Sequence, residues 1–447
     1  MPMVVLIKTL QVILALSILI LTHELGHFTF AKLFHIRVDK FFLFFDFGGK
    51  KLFSTKARWF VKLFPKAKDW ETEYGIGWCP LGGYCKINGM IDESLDLETM
   101  KQEPKEWEFR TKPAWQRLLV MFGGVLFNFI TAIIIFSSIL AVQGRSYIRN
   151  KGNKVYVNET AYEMGFRDGD EILFLDGRAP LAFNDIQADI ARKGVRKATV
   201  LRGTDTLDIY IDQSMIGEVV NGGTMFELAI PFVIDQFQEG SPNAGSGLQK
   251  GDRILAFEGQ SFEFVQDCRE ILAEHKGETI EASFLRGADT LACNVKVDTL
   301  GQIGVALQLP GVEYIHYTAL SAIPAGIKYT WEMIVGYVDD LKLVATPSTQ
   351  AYKSVGSFIS IGQVFPSVWD WNQFLNIMAM LSIMLGVMNL LPIPGLDGGH
   401  ILFTLYEMVT RRKPSDRFMV VAQMVGMFLL FALMFLAFGN DIARLIK

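Results

Sequence analysis

The chain has 447 residues, of which 50% are hydrophobic and 20% charged, and its formal net charge is −4. Length alone calls for two to four domains. The apolar excess excludes an ordinary soluble enzyme and points to membrane segments, and the near-balanced charge leaves no nucleic-acid footprint.

Four segments are long and apolar enough to cross a bilayer as helices, which takes about 20 residues each: 3–34, 115–142, 374–396 and 418–438. The first lacks a charged start and a small-residue cleavage site, so it reads as a retained span and not a signal peptide. Basic residues near span ends set the orientation. Arg37, Lys40, Lys50, Lys51, Lys56, Arg58, Lys62, Lys66 and Lys68 crowd the segment 35–114, and Arg411, Arg412, Lys413 and Arg417 the loop before the fourth span. Both loops are therefore expected in the cytoplasm, with residues 143–372 and both termini outside.

The first span ends in His23-Glu24-Leu25-Gly26-His27. Residues four apart share a helix face, so two imidazoles can grip one zinc ion while Glu24 acts as general base on its water. Polar groups at membrane depth are costly and usually functional, which gives the motif weight at the cytoplasmic end of a span.

Residues 38–90 alternate aromatics, cations and glycines. Phe41 to Phe47 and Arg58 to Phe64 suit elements lying at the membrane interface. In the run Tyr74 to Tyr84, glycines alternate with apolar residues and Pro80 bars a regular helix. We expect a membrane re-entrant β-hairpin here, with Gly82, Gly83 and Tyr84 offering an edge to an unwound substrate; the plainer alternative is a Gly-rich turn. Asp92 to Arg110 reads as a solvated connection. In the second span Gly124 and Asn128 share a face, for close helix packing or for a hydrogen bond near the active site.

Residues 150–310 hold an internal repeat. Gly165-Phe166-Arg167-Asp168-Gly169-Asp170-Glu171-Ile172-Leu173 is echoed by Gly247-Leu248-Gln249-Lys250-Gly251-Asp252-Arg253-Ile254-Leu255, and Val200-Leu201-Arg202-Gly203 by Phe284-Leu285-Arg286-Gly287. The pattern resembles the PDZ domain, here in tandem, which implies capture of peptide C-termini at a sheet edge. In the second copy Ile303, Gly304 and Val305 are the candidate carboxylate-binding loop; the alternative is a pair of size filters that bind nothing. Cys79 and Cys85 read as structural, while Cys268 and Cys293 would pair only in an oxidising compartment. Tyr314 to Thr346 reads as an amphipathic helix returning to the membrane.

The third span ends in Asn389-Leu390-Leu391-Pro392-Ile393-Pro394-Gly395-Leu396-Asp397-Gly398-Gly399-His400. Two prolines break the helix level with the histidine pair. A carboxylate oxygen from Asp397 can complete a two-histidine zinc site and leave the fourth position for water. His400 is a rival ligand, ranked below Asp397. Pro392 and Pro394, with residues 75–84, are candidates for holding a substrate extended.

Together these pieces resemble the site-2 protease family of intramembrane zinc metalloproteases, in its bacterial branch with tandem PDZ domains that regulates the envelope-stress sigma factor. The resemblance implies an α-helical polytopic membrane protein with about four transmembrane helices, a re-entrant β-hairpin and two α/β PDZ domains. The expected division is 1–142 (two spans, zinc motif and β region), 143–222 and 223–312 (the PDZ pair), 313–372 (linker and amphipathic helix) and 373–447 (two spans with the aspartate ligand). It implies His23, His27 and Asp397 as zinc ligands, Glu24 as base, and Asn389 and Asn128 near substrate. The implied partners are single-pass membrane proteins and the bilayer of a bacterial inner membrane, with the PDZ domains periplasmic. Two positions depart from the family pattern: Val125 stands where it usually has proline, and Gly356 is followed by Ser357 where it often has Gly-Pro. The rival readings are a catalytically silent PDZ scaffold and a zinc-dependent transporter or sensor; the latter would need a polar path that spans one, two and four lack.

Overall fold

A computed structural model describes residues 2–80, 82–90 and 103–446. Leu81 and most of the connection expected from Asp92 to Arg110 lie outside the described residues. The chain forms two compact units: residues 1–144, 316–342 and 352–447, and residues 145–315 with 343–351.

The first unit opens with α1 (Pro2–Leu33), 32 residues long. At 1.5 Å per residue it runs about 48 Å, well beyond a hydrocarbon core of about 30 Å. Among the described residues four helices are long and apolar enough to span a membrane: Met3–Leu33, Ala114–Gln143, Trp371–Leu390 and Arg417–Arg444. The third stops at Leu390 and not at residue 396, because Pro392 and Pro394 have no N–H to continue the ladder.

After α1 come β1 (Val38–Leu43), β2 (Lys51–Ser54), α2 (Arg58–Leu63), β3 (Glu73–Gly77) and β4 (Tyr84–Ile87). They make one four-stranded sheet in the order β2-β3-β1-β4. This corrects the expected hairpin: β3 and β4 do not pair with each other. β1 lies between them, parallel to β3 and antiparallel to β4. The chain therefore crosses β1 on its way from β3 to β4, and a bridge between Phe45 and Cys79 pins the start of that passage.

The central helix is α3 (Ala114–Gln143). It packs against α1 and against two helices from the far end of the chain, α6 and α7 in the order α4 (Ala319–Ala345), α5 (Phe358–Val364), α6 (Trp371–Leu390), α7 (Asp397–Thr410) and α8 (Asp416–Ile446). Ala15, Leu19, Ala132, Phe136, Phe374 and Ile383 form the buried seam between α1, α3 and α6. The amphipathic helix begins later than its sequence pattern implied. Tyr314 belongs to a strand, Val312–Ile315, paired with Arg145–Ile148.

The second unit carries the repeat as structure. Glu171–Leu175, Lys197–Arg202 and Asp205–Tyr210 form one antiparallel sheet, and Arg253–Phe257, Thr279–Arg286 and Asp289–Lys296 form its counterpart, with Gln260–Ser261 at the edge. Each copy is closed by the same device. Asp170 is fully buried, receives two hydrogen bonds from Arg202 at 2.7 and 2.8 Å, and accepts the Arg167 N–H. Asp252 does the same with Arg286, at 2.8 and 2.7 Å, and the Gln249 N–H. A buried carboxylate is tolerable only when so satisfied, which explains why the Gly-Asp pair and the later arginine recur together. Cys79, Cys85, Cys268 and Cys293 are free thiols.

Candidate metal centre

His23 and His27 stand one turn apart on α1 and are both buried. They face α3 where the two helices come closest, with the Gly26 backbone against the Gly123 backbone. Absence of a side chain at Gly124 makes room for the rings. A Cβ there would lie 2.5 Å from His27 Nε2 and 2.6 Å from His23 Cε1.

Hydrogen bonds decide which ring nitrogens are free. His27 Nδ1 lies 2.8 Å from the Val120 carbonyl oxygen. A carbonyl only accepts, so Nδ1 carries the proton and Nε2 keeps its lone pair. His23 Nδ1 lies 3.1 Å from the Asn128 amide. Asn128 is fully buried and its Oδ1 has no partner among the described residues. Turning the amide over exchanges its nitrogen and oxygen. With Oδ1 turned to the ring, it accepts from Nδ1–H, and His23 Nε2 is likewise left with its lone pair.

Asp397, the first residue of α7, brings its carboxylate to the same point. Its Oδ2 is 3.3 Å from His23 Nε2 and 3.2 Å from His27 Nε2, and the two Nε2 atoms are 3.3 Å apart. Three acceptor atoms facing one another repel unless a cation lies between them, and Asp397 Oδ2 is buried without a donor. Zinc held tetrahedrally at 2.0–2.1 Å would set its ligand atoms about 3.3–3.4 Å apart. The three observed separations fit that figure, and the group is the cluster of metal-ligating side chains found among the described residues.

The other expected residues divide. Glu24, half-buried between the two histidines, has no hydrogen-bond donor among the described residues. β4 packs against α1, the helix that carries Glu24. Asn389, at the end of α6, points its amide to within 3.4 Å of His23 Nε2. Gly83 lies against α1, where a Cβ would meet Ile20 at 2.7 Å, and Gly82 lies against the Phe45 ring. Tyr84 serves the sheet itself: its hydroxyl donates to Asp46 at 2.8 Å and its ring stacks on Phe42. Pro392 and Pro394 shape the break between α6 and α7, and the Pro394 carbonyl packs onto Gly426 of α8. His400 is not in the cluster. It lines a separate cavity of about 350 Å³ with Arg117, Thr404, Glu407 and Gln423.

In the second unit Ile303 is a core side chain, 2% exposed, Gly304 has φ +65°, and Val305 opens a short strand, Val305–Leu307, paired with Ile234–Phe237. Sequence reasoning missed Val120. The signal was present: Val120, Gly124 and Asn128 recur every four residues on one face of α3, the face turned to the histidines.

The pattern of Peptidase family M50 matches residues 11–433. The chain is similar to Metalloprotease MmpA of Caulobacter vibrioides, 27% identical across 98% of this chain and 96% of that one. It is also similar to Regulator of sigma-E protease RseP of Salmonella typhimurium, 28% identical across 97% and 98%. Among solved structures, the PDZ domain of an SdrC-like protein from Listeria monocytogenes matches 17% of this chain and 84% of its own, at 23% identity and a TM-score of 0.15.

Proposed function

The chain belongs to peptidase family M50, the site-2 type of metalloprotease, and from that premise we propose that it cuts transmembrane segments of single-pass proteins within the bilayer, using zinc held by His23, His27 and Asp397. The observation that carries the reading is the convergence of three lone pairs at tetrahedral-edge spacing, with Glu24 in the same helical turn and without a hydrogen-bond donor among the described residues, at the end of a membrane-length helix. When bound there, zinc would supply a water of pKa near ~7 and a Lewis acid for the peptide carbonyl.

The remaining work falls to side chains of this protein. Glu24 takes the proton from the attacking water and returns it to the leaving amine. Asn389, whose amide lies 3.4 Å from His23 Nε2, would donate to the reacting carbonyl oxygen as charge develops. A transmembrane helix hides its carbonyls in i to i−4 hydrogen bonds, so it must be unwound before attack. The outer edge of β4, a strand that packs against α1, is unpaired among the described residues and suits an added substrate strand. The break at Pro392 to Gly395 would border the same strand.

We assign the finer steps in the same way. Zinc-site and β4 loops face the cytoplasm of a bacterial inner membrane, by the distribution of basic residues. The two repeats of the second unit act as extracytoplasmic PDZ domains, with Ile303, Gly304 and Val305 at the mouth of a peptide groove. They admit substrates whose outer domain has already been trimmed, such as anti-sigma factors or signal-peptide remnants, a substrate class consistent with the sigma-E protease relatives. A silent scaffold is less well supported, because it has no use for Glu24 poised at a metal-shaped cluster. Glu24→Gln separates the two: it should keep stoichiometric zinc while cleavage of a tagged single-span substrate is lost. Cleavage that persists in this variant would remove Glu24 from its role.

A further inference from the structure

Between β2 and β3 the chain forms a small projecting foot, residues 56–70, that the zinc chemistry does not use. Its body is α2 and the single turn Pro65–Asp69. Phe60 is the internal anchor, in ring contact with Phe53, Trp59, Phe64 and Trp70. Lys56 fastens the far end by donating to the carbonyls of Ala67, Lys68 and Trp70 at 3.1, 2.8 and 2.6 Å. The foot is therefore a preformed object and not a loose loop.

Its outer surface combines two features that water alone disfavours. Trp59, Leu63, Phe64 and Trp70 are 60, 66, 50 and 44% exposed. Trp59 and Leu63 are four apart and share a face of α2, as Arg58 and Lys62 share the adjoining one. The side chains of Arg58, Lys62, Lys66 and Lys68 are all exposed and take part in no ion pair or hydrogen bond among the described residues. The segment has one acid of its own, Asp69. The neighbouring Glu71 is engaged by Lys32, 2.8 Å away in the last turn of α1. That contact ties the foot to the charged last turn of the first membrane-length helix.

We propose that residues 56–70 bind the anionic headgroups of the leaflet at that end of α1, with Trp59, Leu63 and Phe64 inserted below the phosphates and Arg58, Lys62, Lys66 and Lys68 paired to them. The partner is a lipid surface because exposed aromatics and free cations lie side by side next to the end of a membrane-length helix, the arrangement of an interfacial anchor. The consequence reaches the metal centre. The foot joins β2 to β3 of the sheet whose opposite edge is β4, so fixing it on the leaflet sets the plane in which that edge is held.

The test reads lipid contact and not proteolysis, so it stands or fails apart from the proposed function. Full-length protein is placed in nanodiscs of phosphatidylcholine mixed with phosphatidylglycerol, with bromine on the chains of one lipid or the other. Quenching of Trp59 is isolated as the difference between the wild type and Trp59→Phe. Brominated phosphatidylglycerol should quench several-fold more than brominated phosphatidylcholine at low salt, the preference fading as salt rises. Each cation removed should weaken it by about fivefold, so R58Q/K62Q/K66Q/K68Q should show no preference while retaining wild-type zinc content, which verifies its fold. Equal quenching by both lipids, or a preference that survives the four glutamines, overturns the proposal. So does a Trp59 that neither lipid quenches but a single-span substrate protects from aqueous quenchers, which would make the foot a protein-docking surface.

Discussion

Gly124→Ala tests whether the histidine pair owes its geometry to the missing side chain on α3. The added methyl would lie 2.5 Å from His27 Nε2, 2.6 Å from His23 Cε1 and 2.9 Å from His23 Nδ1. Comfortable contact begins at about 3.5 Å, so the rings or the helix must retreat by roughly 1 Å. Neither is free to do so. His27 is held by the Val120 carbonyl at 2.8 Å, and α1 and α3 are in backbone contact at Gly26 and Gly123. Metal–ligand bonds tolerate only about 0.2 Å. Disturbing the groups that orient metal ligands typically costs about 10–100-fold in metal affinity, equivalent to about 1.4–2.8 kcal/mol. Zinc competition against a chromophoric chelator, on purified full-length protein, measures it. Gly439→Ala on α8 is the control, since its Cβ meets open space; there alanine should be neutral or gain up to about 1 kcal/mol of helix stability. Wild-type zinc affinity in Gly124→Ala would refute the account of how the rings are seated.

Asn128→Leu should weaken zinc binding by about 10–100-fold by freeing the His23 ring to take the wrong tautomer, whereas Asn128→Asp, which still accepts from Nδ1–H, should restore most of it; chelator competition on both variants checks this, and equal loss in the two would mean that Asn128 merely fills space. In the second repeat, the Arg286 guanidinium bonded to Asp252 holds that carboxyl below the usual carboxylate range. A depressed folded value adds stability that is fully present above the unfolded value of about 3.9 and is lost as pH falls through the folded one. Acid titration of the 279–296 hairpin by amide signals should therefore show a midpoint below about pH 4, and Asp252→Asn should flatten that dependence; coincident acid limbs would contradict it.

The histidine pair and its glutamate were legible because they are local: one turn of helix fixes their common face before any tertiary contact forms. The long reach to Asp397 was legible for a different reason. Two prolines in an apolar run forbid the helix to continue, and a carboxylate just beyond such a break needs a partner. For Asn128 the sequence offers helix packing or a hydrogen bond near the active site, and in the structure its amide lies 3.1 Å from His23 Nδ1. Facing substrate and bracing His23 look the same in a sequence, since both need only a buried amide on the right face, and the orphaned Oδ1 that tells them apart exists only once α1 and α3 are packed.

Where the reading failed, the missing information was pairing and not propensity. The run Tyr74 to Tyr84 has the glycines, the proline and the flanking apolar residues of a hairpin, and two strands do form there. Which strand pairs with which is set by β1, earlier in the chain, whose backbone accepts β3 along one edge and β4 along the other. Ser357 shows the same limit at a single residue. Its departure from Gly-Pro has a partner 84 residues away: Asp441 accepts both the Ser357 N–H, at 2.8 Å, and its hydroxyl, at 2.6 Å. A proline has no N–H to give, so the serine and the aspartate belong together. The substitution is thus a change of anchoring between the end of α8 and the start of α5, a matter of long-range hydrogen bonding that no local pattern could carry.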